Sequence, residues 1–237
     1  MKKSKTHFRF KQFTVYHDQC AMKVGTDSVL LGAWARTNPG QRILDVGTGC
    51  GILALMLAQR NPSATIDAVE VDESGAIQAR QNAEQSPWPG RIRVHHTAIQ
   101  QYDSSEPYDL VVSNPPYFVN SLEPPDARRL LSRHAVSLPY GELIDAVDRL
   151  LSPTGRFNVI LPATEAHDFE FRLVEKKFYC TRKLAFRTRQ EKSVTRWLLE
   201  FSRDCEPVEE GEMVLYEQGL VWSEEYTQLT RAFYLKL

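Results

Sequence analysis

Apolar and polar positions along the chain repeat in two alternating patterns. Short apolar runs at 42–46, 65–71 and 110–113 are typical of buried strands. Between them, residues 52–60 and 74–85 carry apolar side chains at the spacing of a helix face. Strands that alternate with helices at this separation predict βαβ units, and therefore a mostly parallel sheet.

The same pattern extends over the rest of the chain. The predicted strands are 7–16 (a short extended segment or hairpin arm), 42–46, 65–71, 91–96, 110–113, 155–161, 181–188 and 195–202. The predicted helices are 27–36 (with Thr26 or Asp27 as N-cap), 52–60, 74–85, 140–151, 164–176 and 226–235. The connection 118–135 is longer than ordinary loops, which predicts a substrate loop or a partly helical segment.

Composition narrows the class of protein. A length of 237 residues suits one large domain, or one domain with a substantial appendage, and 42% apolar with 25% charged residues is ordinary for a soluble globular protein. The chain has no run of about 18 apolar residues, so no membrane span is expected. The four cysteines show no CxxC spacing, which favours reduced thiols in the cytoplasm over a zinc site or a disulfide framework.

Charge is unevenly distributed although the net charge is −1. Residues 172–203 hold ten Lys/Arg and three Glu, whereas residues 204–225 hold eight Asp/Glu and no Lys/Arg. The basic stretch is compatible either with a face for a polyanion or with an ordinary solvated surface. The acidic stretch has no functional interpretation from the sequence.

A glycine-rich loop follows the strand 42–46. Gly47, Gly49 and Gly51 have the spacing G-x-G-x-G after Asp45, and they open the next helix. Glycines there let the backbone turn tightly and approach a ligand closely. A glycine loop alone is a weak signal, and a tight strand–helix turn without a ligand is the alternative.

Two positions downstream extend this candidate ligand site. Glu70 lies near the end of the second strand, where an acid can accept hydrogen bonds from both ribose hydroxyls of a nucleoside. Asp72 is the expected N-cap of the following helix. Ala98 follows the third strand, where topology would place the adenine ring of the same ligand.

The sequence Asn114-Pro115-Pro116-Tyr117 lies at the end of the fourth strand and carries the most specific signal. The Asn114 amide oxygen and the Pro115 carbonyl can accept hydrogen bonds from an exocyclic amine, and the Tyr117 ring can stack on a planar base. These groups suit positioning an amine for in-line attack on a methyl group. A proline turn that closes a strand is the alternative.

These motifs resemble the amino-methyltransferases with a [DNS]PP[YFW] motif, and more closely the tRNA1(Val) adenine-N6 methyltransferases. The resemblance also includes Met22 to Trp34 and Glu70-Val71-Asp72, and it extends over most of the chain. It implies a Rossmann-like class I fold with a seven-stranded, mostly parallel sheet, as one domain over residues 1–237. Residues 1–36 would form an amino-terminal extension that contributes to the donor site.

The resemblance also implies S-adenosylmethionine as donor, S-adenosylhomocysteine as product, and methylation of N6 of adenine 37, beside the anticodon. No metal is implied. The sequence leaves the oligomeric state open, and nothing in it demands more than a monomer. The expected catalytic residues are Asn114, Pro115 and Tyr117. The expected donor-binding residues are Lys23, Gly25, Asp27, Asp45, Gly47, Gly49, Gly51, Glu70, Ala98 and Asn114.

Contacts to the anticodon stem-loop of tRNA are expected from basic residues in two regions. They are Arg128, Arg129, Arg133, Arg187, Arg189 and Lys192, and solvated surface charge is the alternative for each.

Other acceptors remain open at this point. The same motif serves protein-glutamine N5 methylation, but those enzymes resemble this chain only in the catalytic half and carry a helical amino-terminal domain. DNA adenine methylation usually needs a separate recognition domain, whereas guanine-N2 methylation of ribosomal RNA fits the chain length better. A non-enzymatic binding module is disfavoured by the intact motif.

Overall fold

The computed structural model describes residues 6–117 and 139–235. The strands are β1 His7–Arg9, β2 Thr14–Tyr16, β3 Arg42–Val46, β4 Thr65–Glu70, β5 Ile92–His96, β6 Tyr108–Ser113, β7 Leu151–Pro162, β8 Tyr179–Arg187, β9 Arg196–Ser202 and β10 Glu209–Val214. The helices are α1 Thr26–Trp34, α2 Ile52–Arg60, α3 Glu73–Glu84, α4 Tyr140–Leu150, α5 Ala163–Glu175 and α6 Glu224–Thr230.

Eight strands form one sheet in the order β10-β8-β9-β7-β6-β3-β4-β5. Strand β9 runs antiparallel to both of its neighbours, and every other pair in the sheet is parallel. The chain moves outward from β3 through β4 to β5, then returns to the other side of β3 with β6. The carboxyl ends of these parallel strands therefore lie along one edge of the sheet. The strands β1 and β2 form a separate antiparallel hairpin.

Helices cover both faces of the sheet, and each face has its own apolar core. One core is built from α1 and α2, together with Phe10 and Phe13 of the hairpin and Tyr226 of α6. The other contains the buried faces of α4 and α5, with Phe157 of β7 packed against Phe169 of α5. Both faces of the central strands are thus buried, which explains their continuous apolar runs. Among the described residues, no helix combines the length and apolar character needed to cross a bilayer.

The prediction of seven strands was one strand short. The acidic segment contains β10, which pairs in parallel with β8 at the edge of the sheet. Its carboxylates pair with basic side chains of β8, with 3.0 Å between Lys183 and Glu210 and 3.0 Å between Arg187 and Glu212. Acidic residues are rare in strands, so the segment gives no local strand signal, and its stabilising partners lie about 26 residues away in sequence.

The predicted N-cap of α1 was also wrong. Gly25 occupies the cap position, without a side-chain cap bond, and the helix begins at Thr26. Asp27 does not cap the helix, because its carboxylate bonds to side chains from two other parts of the chain. The predicted cap at Asp72 is confirmed, since its carboxylate accepts from the Gly75 N–H at 2.7 Å. The last predicted helix begins and ends earlier, at 224–230.

Gly155 offers a test of the packing in β7. A Cβ there would lie 2.8 Å from the Leu151 side chain and 2.9 Å from the Tyr108 carbonyl oxygen, which is backbone and cannot move freely. We expect Gly155→Ala to lower the free energy of unfolding by about 1–3 kcal/mol, measured by urea denaturation. Gly141→Ala is the control, because a Cβ in this turn of α4 meets no described atom within 4 Å beyond its own helix backbone and chain neighbours, and alanine favours a helix. A Gly155→Ala protein as stable as the control would contradict this packing.

Candidate active site

The carboxyl ends of β3, β4, β5 and β6 surround a cavity of about 180 Å³. It lies where the order of the strands reverses, which is the usual location of ligand sites in open α/β sheets. Its lining residues are Cys20, Ala21, Met22, Val46, Gly47, Gly49, Val69, Glu70, Val71, Asp72, Gly75, Thr97, Ala98, Ile99, Gln100, Asn114, Pro115 and Pro116.

The glycine loop forms one wall of this cavity. Gly47, Gly49 and Gly51 all have positive φ angles, of 70°, 56° and 82°, a region that glycine adopts without strain. A Cβ built at Gly47 or Gly49 would meet no described atom within 4 Å. A Cβ at Gly51 would lie 3.4 Å from Ala79 of α3. The first two glycines thus leave room for a ligand, whereas the third permits close packing of a helix.

Asp45 holds the glycine loop in place through hydrogen bonds to its carboxylate. Its Oδ2 accepts hydrogen bonds from the Thr48 hydroxyl at 2.6 Å and from the Ala54 N–H at 3.1 Å. The side chain is completely buried, and burial raises the pKa of Asp45 to about 7, although both hydrogen bonds oppose that rise. Asp45 therefore positions the loop and does not line the cavity.

Glu70 joins the loop to the end of β4. One carboxylate oxygen accepts from the Gly49 N–H at 2.7 Å and the other from the Asp72 N–H at 2.9 Å. Burial raises the pKa of Glu70, and these backbone donors oppose the shift. Each carboxylate oxygen retains a second lone pair, so the side chain can still accept bonds from ligand hydroxyls.

The segment before α1 reaches the cavity because a buried amide holds it there. Asn82 of α3 accepts from the Tyr16 N–H at 3.0 Å, and its amide nitrogen lies 2.8 Å from both the Tyr16 and the Cys50 carbonyl oxygens. This side chain thereby connects the hairpin to the glycine loop. Cys20, which follows the hairpin, contributes to the cavity wall together with the next two residues.

The Asn114 amide also lines the cavity, and hydrogen bonds fix its orientation. Its nitrogen donates to the Ser28 hydroxyl at 2.8 Å, which directs the amide oxygen toward Tyr117. The Tyr117 hydroxyl lies 2.8 Å from that oxygen and 2.8 Å from the Asp27 carboxylate. Burial, followed by the negative charge of Asp27, raises the pKa of Tyr117, so the phenol stays protonated at neutral pH.

Arg196 of β9 completes this group. Its Nε donates to Asp27 at 2.8 Å, and its guanidinium carbon lies 4.8 Å from the centre of the Tyr117 ring. Tyr117 and Arg196 also border a second cavity, of about 880 Å³, between α4 and α5. The motif therefore adjoins one cavity through Asn114 and another through Tyr117.

The structure brings together part of the predicted site. Five predicted donor-binding residues line the first cavity: Gly47, Gly49, Glu70, Ala98 and Asn114. Five others lie outside its lining: Lys23, Gly25, Asp27, Asp45 and Gly51. Of these, Asp27 contacts Tyr117 of the predicted catalytic motif instead. Sequence reasoning missed the contacts that Ser28 and Arg196 make with the motif, because nothing in their local sequence indicates a contact with residues about 80 or more positions away.

The predicted RNA-contact residues have varied surroundings. Arg187 pairs with Glu212 at 3.0 Å, and Arg189 donates to the Gly219 carbonyl at 2.6 Å. Lys192 is exposed in the turn before β9. Arg128, Arg129 and Arg133, with the loop 118–135, lie outside the described residues. Contact of any of them with RNA stays a prediction.

Comparison with known proteins identifies the family. The model of the methyltransferase small domain matches residues 19–166. A protein of Aeromonas hydrophila is 46% identical over 231 residues, which cover 97% of this chain and 98% of that protein. A protein of Dyadobacter fermentans is 43% identical over 234 residues, with the same coverage. Both are named tRNA1(Val) (adenine(37)-N6)-methyltransferase.

The chain belongs to this family. The resemblance inferred from the motifs is thereby confirmed.

Solved structures support the fold. A protein described as a predicted O-methyltransferase from Agrobacterium tumefaciens has a TM-score of 0.68 at 16% identity, over 87% of this chain and 96% of that chain. A putative RNA methyltransferase from Pyrococcus horikoshii has a TM-score of 0.56 at 18% identity, over 75% of this chain and 82% of that chain. The predicted class I methyltransferase fold is confirmed, with eight strands in place of seven.

The buried carboxyl of Asp45 predicts a pH dependence of stability. The folded protein keeps this proton up to a pKa of about 7, whereas the unfolded chain loses it near 3.8. The folded state therefore binds the extra proton between these values, and the contribution to stability falls as the pH rises from 4 to 7. Relative to Asp45→Asn, which does not ionise, the wild type should lose at most about 4 kcal/mol of unfolding free energy over this range.

Urea denaturation of both proteins at pH 4.5 and pH 7.5 measures this difference. Parallel stability profiles for the wild type and Asp45→Asn would contradict the assignment of a buried, protonated carboxyl.

Proposed function

We propose that this protein transfers a methyl group from S-adenosylmethionine to N6 of adenine 37 in tRNA1(Val). The observation that carries the proposal is the Asn114 amide, held by Ser28 and Tyr117 at the wall of a cavity that the glycine loop also lines. The names of the full-length relatives support tRNA and the adenine amine as the acceptor.

The residues around the first cavity suit the donor. The open space before Gly47 and Gly49 can accept the amino-acid part, and the Glu70 carboxylate can accept hydrogen bonds from the ribose hydroxyls. Ile99 and Val71 offer apolar walls to the adenine ring, and Cys20 to Met22 would give the amino-terminal segment a part in the donor site. When bound, the donor supplies an electrophilic methyl group on a sulfonium.

The acceptor amine is activated by position and not by a strong base. Its lone pair is delocalised into the adenine ring, so hydrogen bonds from the amine to the Asn114 oxygen and the Pro115 carbonyl favour a more tetrahedral nitrogen. The Tyr117 ring holds the base in plane by stacking. The described geometry thus provides orientation for an in-line transfer, which contributes much of the rate in such reactions. The proton can leave the nitrogen after transfer.

The second cavity offers space for the tRNA beside the target nucleotide. Tyr117 and Arg196 border it, together with Arg172 and the carboxylates of Glu165 and Asp168 on α5. Positive groups near a flipped base can bind the neighbouring phosphates. We place the anticodon stem-loop on this side of the motif, and the reaction in the cytoplasm with its tRNA.

Methyl transfer to tRNA is the direct test of the proposal. The protein is incubated with labelled S-adenosylmethionine and total tRNA that lacks this modification, and the products are analysed by nucleoside mass spectrometry. We expect N6-methyladenosine at position 37 of the valine tRNA. Label in ribosomal RNA or in protein would keep the methyltransferase chemistry and overturn the acceptor.

Asn114→Ala tests the role of the amide. We expect kcat to fall at least about 100-fold, because the amine loses its acceptor and its alignment. Donor affinity, measured by calorimetry, should change little, since the glycine loop and Glu70 are intact. Asn38→Ala, an exposed amide outside the lining of the first cavity, is the control. Full activity of Asn114→Ala would rule out this mechanism.

A further inference from the structure

We propose that Arg196 and Asp27 are positioning residues for methyl transfer, which act through Tyr117. Arg196 packs on the face of the Tyr117 ring, and Asp27 bonds to the Tyr117 hydroxyl. The inference rests on the proposed function and assigns roles that the catalytic motif alone does not give. Asp27 was expected at the donor site, and Arg196 lies in an antiparallel strand far along the chain.

The guanidinium of Arg196 is held by more than one contact. Its Nε donates to Asp27 at 2.8 Å, and Nη1 donates to the Thr195 carbonyl at 2.9 Å. These bonds keep the planar group over the Tyr117 ring, with 4.8 Å from its carbon to the ring centre. A cation over an aromatic face is attracted by the negative charge of that face. Arg196 therefore occupies one face of Tyr117 and directs a stacking base to the other.

Asp27 acts on the hydroxyl of the same tyrosine. The phenol has one proton and two acceptors at 2.8 Å, the Asp27 carboxylate and the Asn114 amide oxygen. An ionised carboxylate is the stronger acceptor, because a hydrogen bond to a charged group is stronger than one to a neutral group. The Asn114 oxygen has two lone pairs, so it keeps one for the acceptor amine even while it shares the Tyr117 proton with Asp27.

The first turn of α1 links the two ends of the motif. Ser28 holds the nitrogen of the Asn114 amide, and its neighbour Asp27 holds the Tyr117 hydroxyl. Arg196 in turn holds Asp27 through the ion pair. The orientation of the amide oxygen and the plane of the aromatic ring are thus set by one helix turn and one strand end.

The alternative is that Arg196 only stabilises the packing of β9 against α1. A second arginine with similar contacts elsewhere in the fold, Arg203, serves as a control that separates the two roles. Arg203 also stacks on an aromatic ring, 4.4 Å from the centre of Phe178, and pairs with Asp148 at 2.8 Å. The two arginine side chains are similarly exposed, at 28% and 31%. Arg203 lies outside the linings of both cavities at the motif. Arg203→Met therefore removes the same kinds of contact elsewhere in the fold.

The experiment measures single-turnover methyl transfer to tRNA, the KM for tRNA and donor affinity for Arg196→Met, Arg196→Lys and Arg203→Met. We expect Arg196→Met to lower the transfer rate at saturating tRNA about 10- to 100-fold, with the KM for tRNA and the donor affinity unchanged within about twofold. Arg196→Lys keeps the cation and a donor for Asp27, so it should recover part of the rate. Arg203→Met should match the wild type.

A double variant tests whether Arg196 acts through Tyr117. If it does, Arg196→Met should add no further loss to Tyr117→Ala, because the group on which it acts is gone. Equal rates for Arg196→Met and Arg203→Met, or independent losses in the double variant, would overturn the inference. A wild-type protein that methylates another acceptor would overturn the proposed substrate, and the same variants would then be compared on that acceptor.

Discussion

The pairing of β3 with β4 on one side and β6 on the other is the constraint on which the candidate site depends. It brings the glycine loop, Glu70 and Asn114 to one edge of the sheet, although they are far apart in sequence. The hydrogen bond from the Gly49 N–H to Glu70 then joins two of these strand ends directly. The ligand cavity is thus a consequence of strand order, and local residues define its walls.

The acceptor side depends on contacts that the parallel core does not supply. Ser28 and Asp27 come from the amino-terminal part of the chain, and Arg196 comes from a strand that follows the catalytic core in sequence. Ser28 and Asp27 contact the motif after β6 through hydrogen bonds of 2.8 Å, whereas Arg196 bonds to Asp27 at 2.8 Å and lies over the Tyr117 ring. The two sides of the proposed reaction site are therefore built differently: backbone geometry shapes the proposed donor side, whereas side-chain hydrogen bonds orient the proposed acceptor side.

The sequence pattern predicted those strands and loops whose conformation depends on their own residues. The strands β3, β4 and β6 are buried on both faces, so their apolar runs predict them well, and glycines with positive φ mark the loop. Strand β10 was not predicted, because it is stabilised by opposite charges on β8 and not by a pattern in its own sequence. The contacts of Asp27 and Arg196 with the motif were not predicted for the same reason. A contact between distant segments leaves no periodic pattern in the sequence of either segment.

The most direct test of the central claim changes the acceptor group and leaves the protein intact. Methyl transfer is measured for two transcripts of tRNA1(Val), one with adenine and one with guanine at position 37. The account predicts N6-methyladenosine in the first and no methyl group at position 37 in the second, since guanine has no amine at that ring position. Equal methylation of both transcripts would contradict an N6 amine held by Asn114.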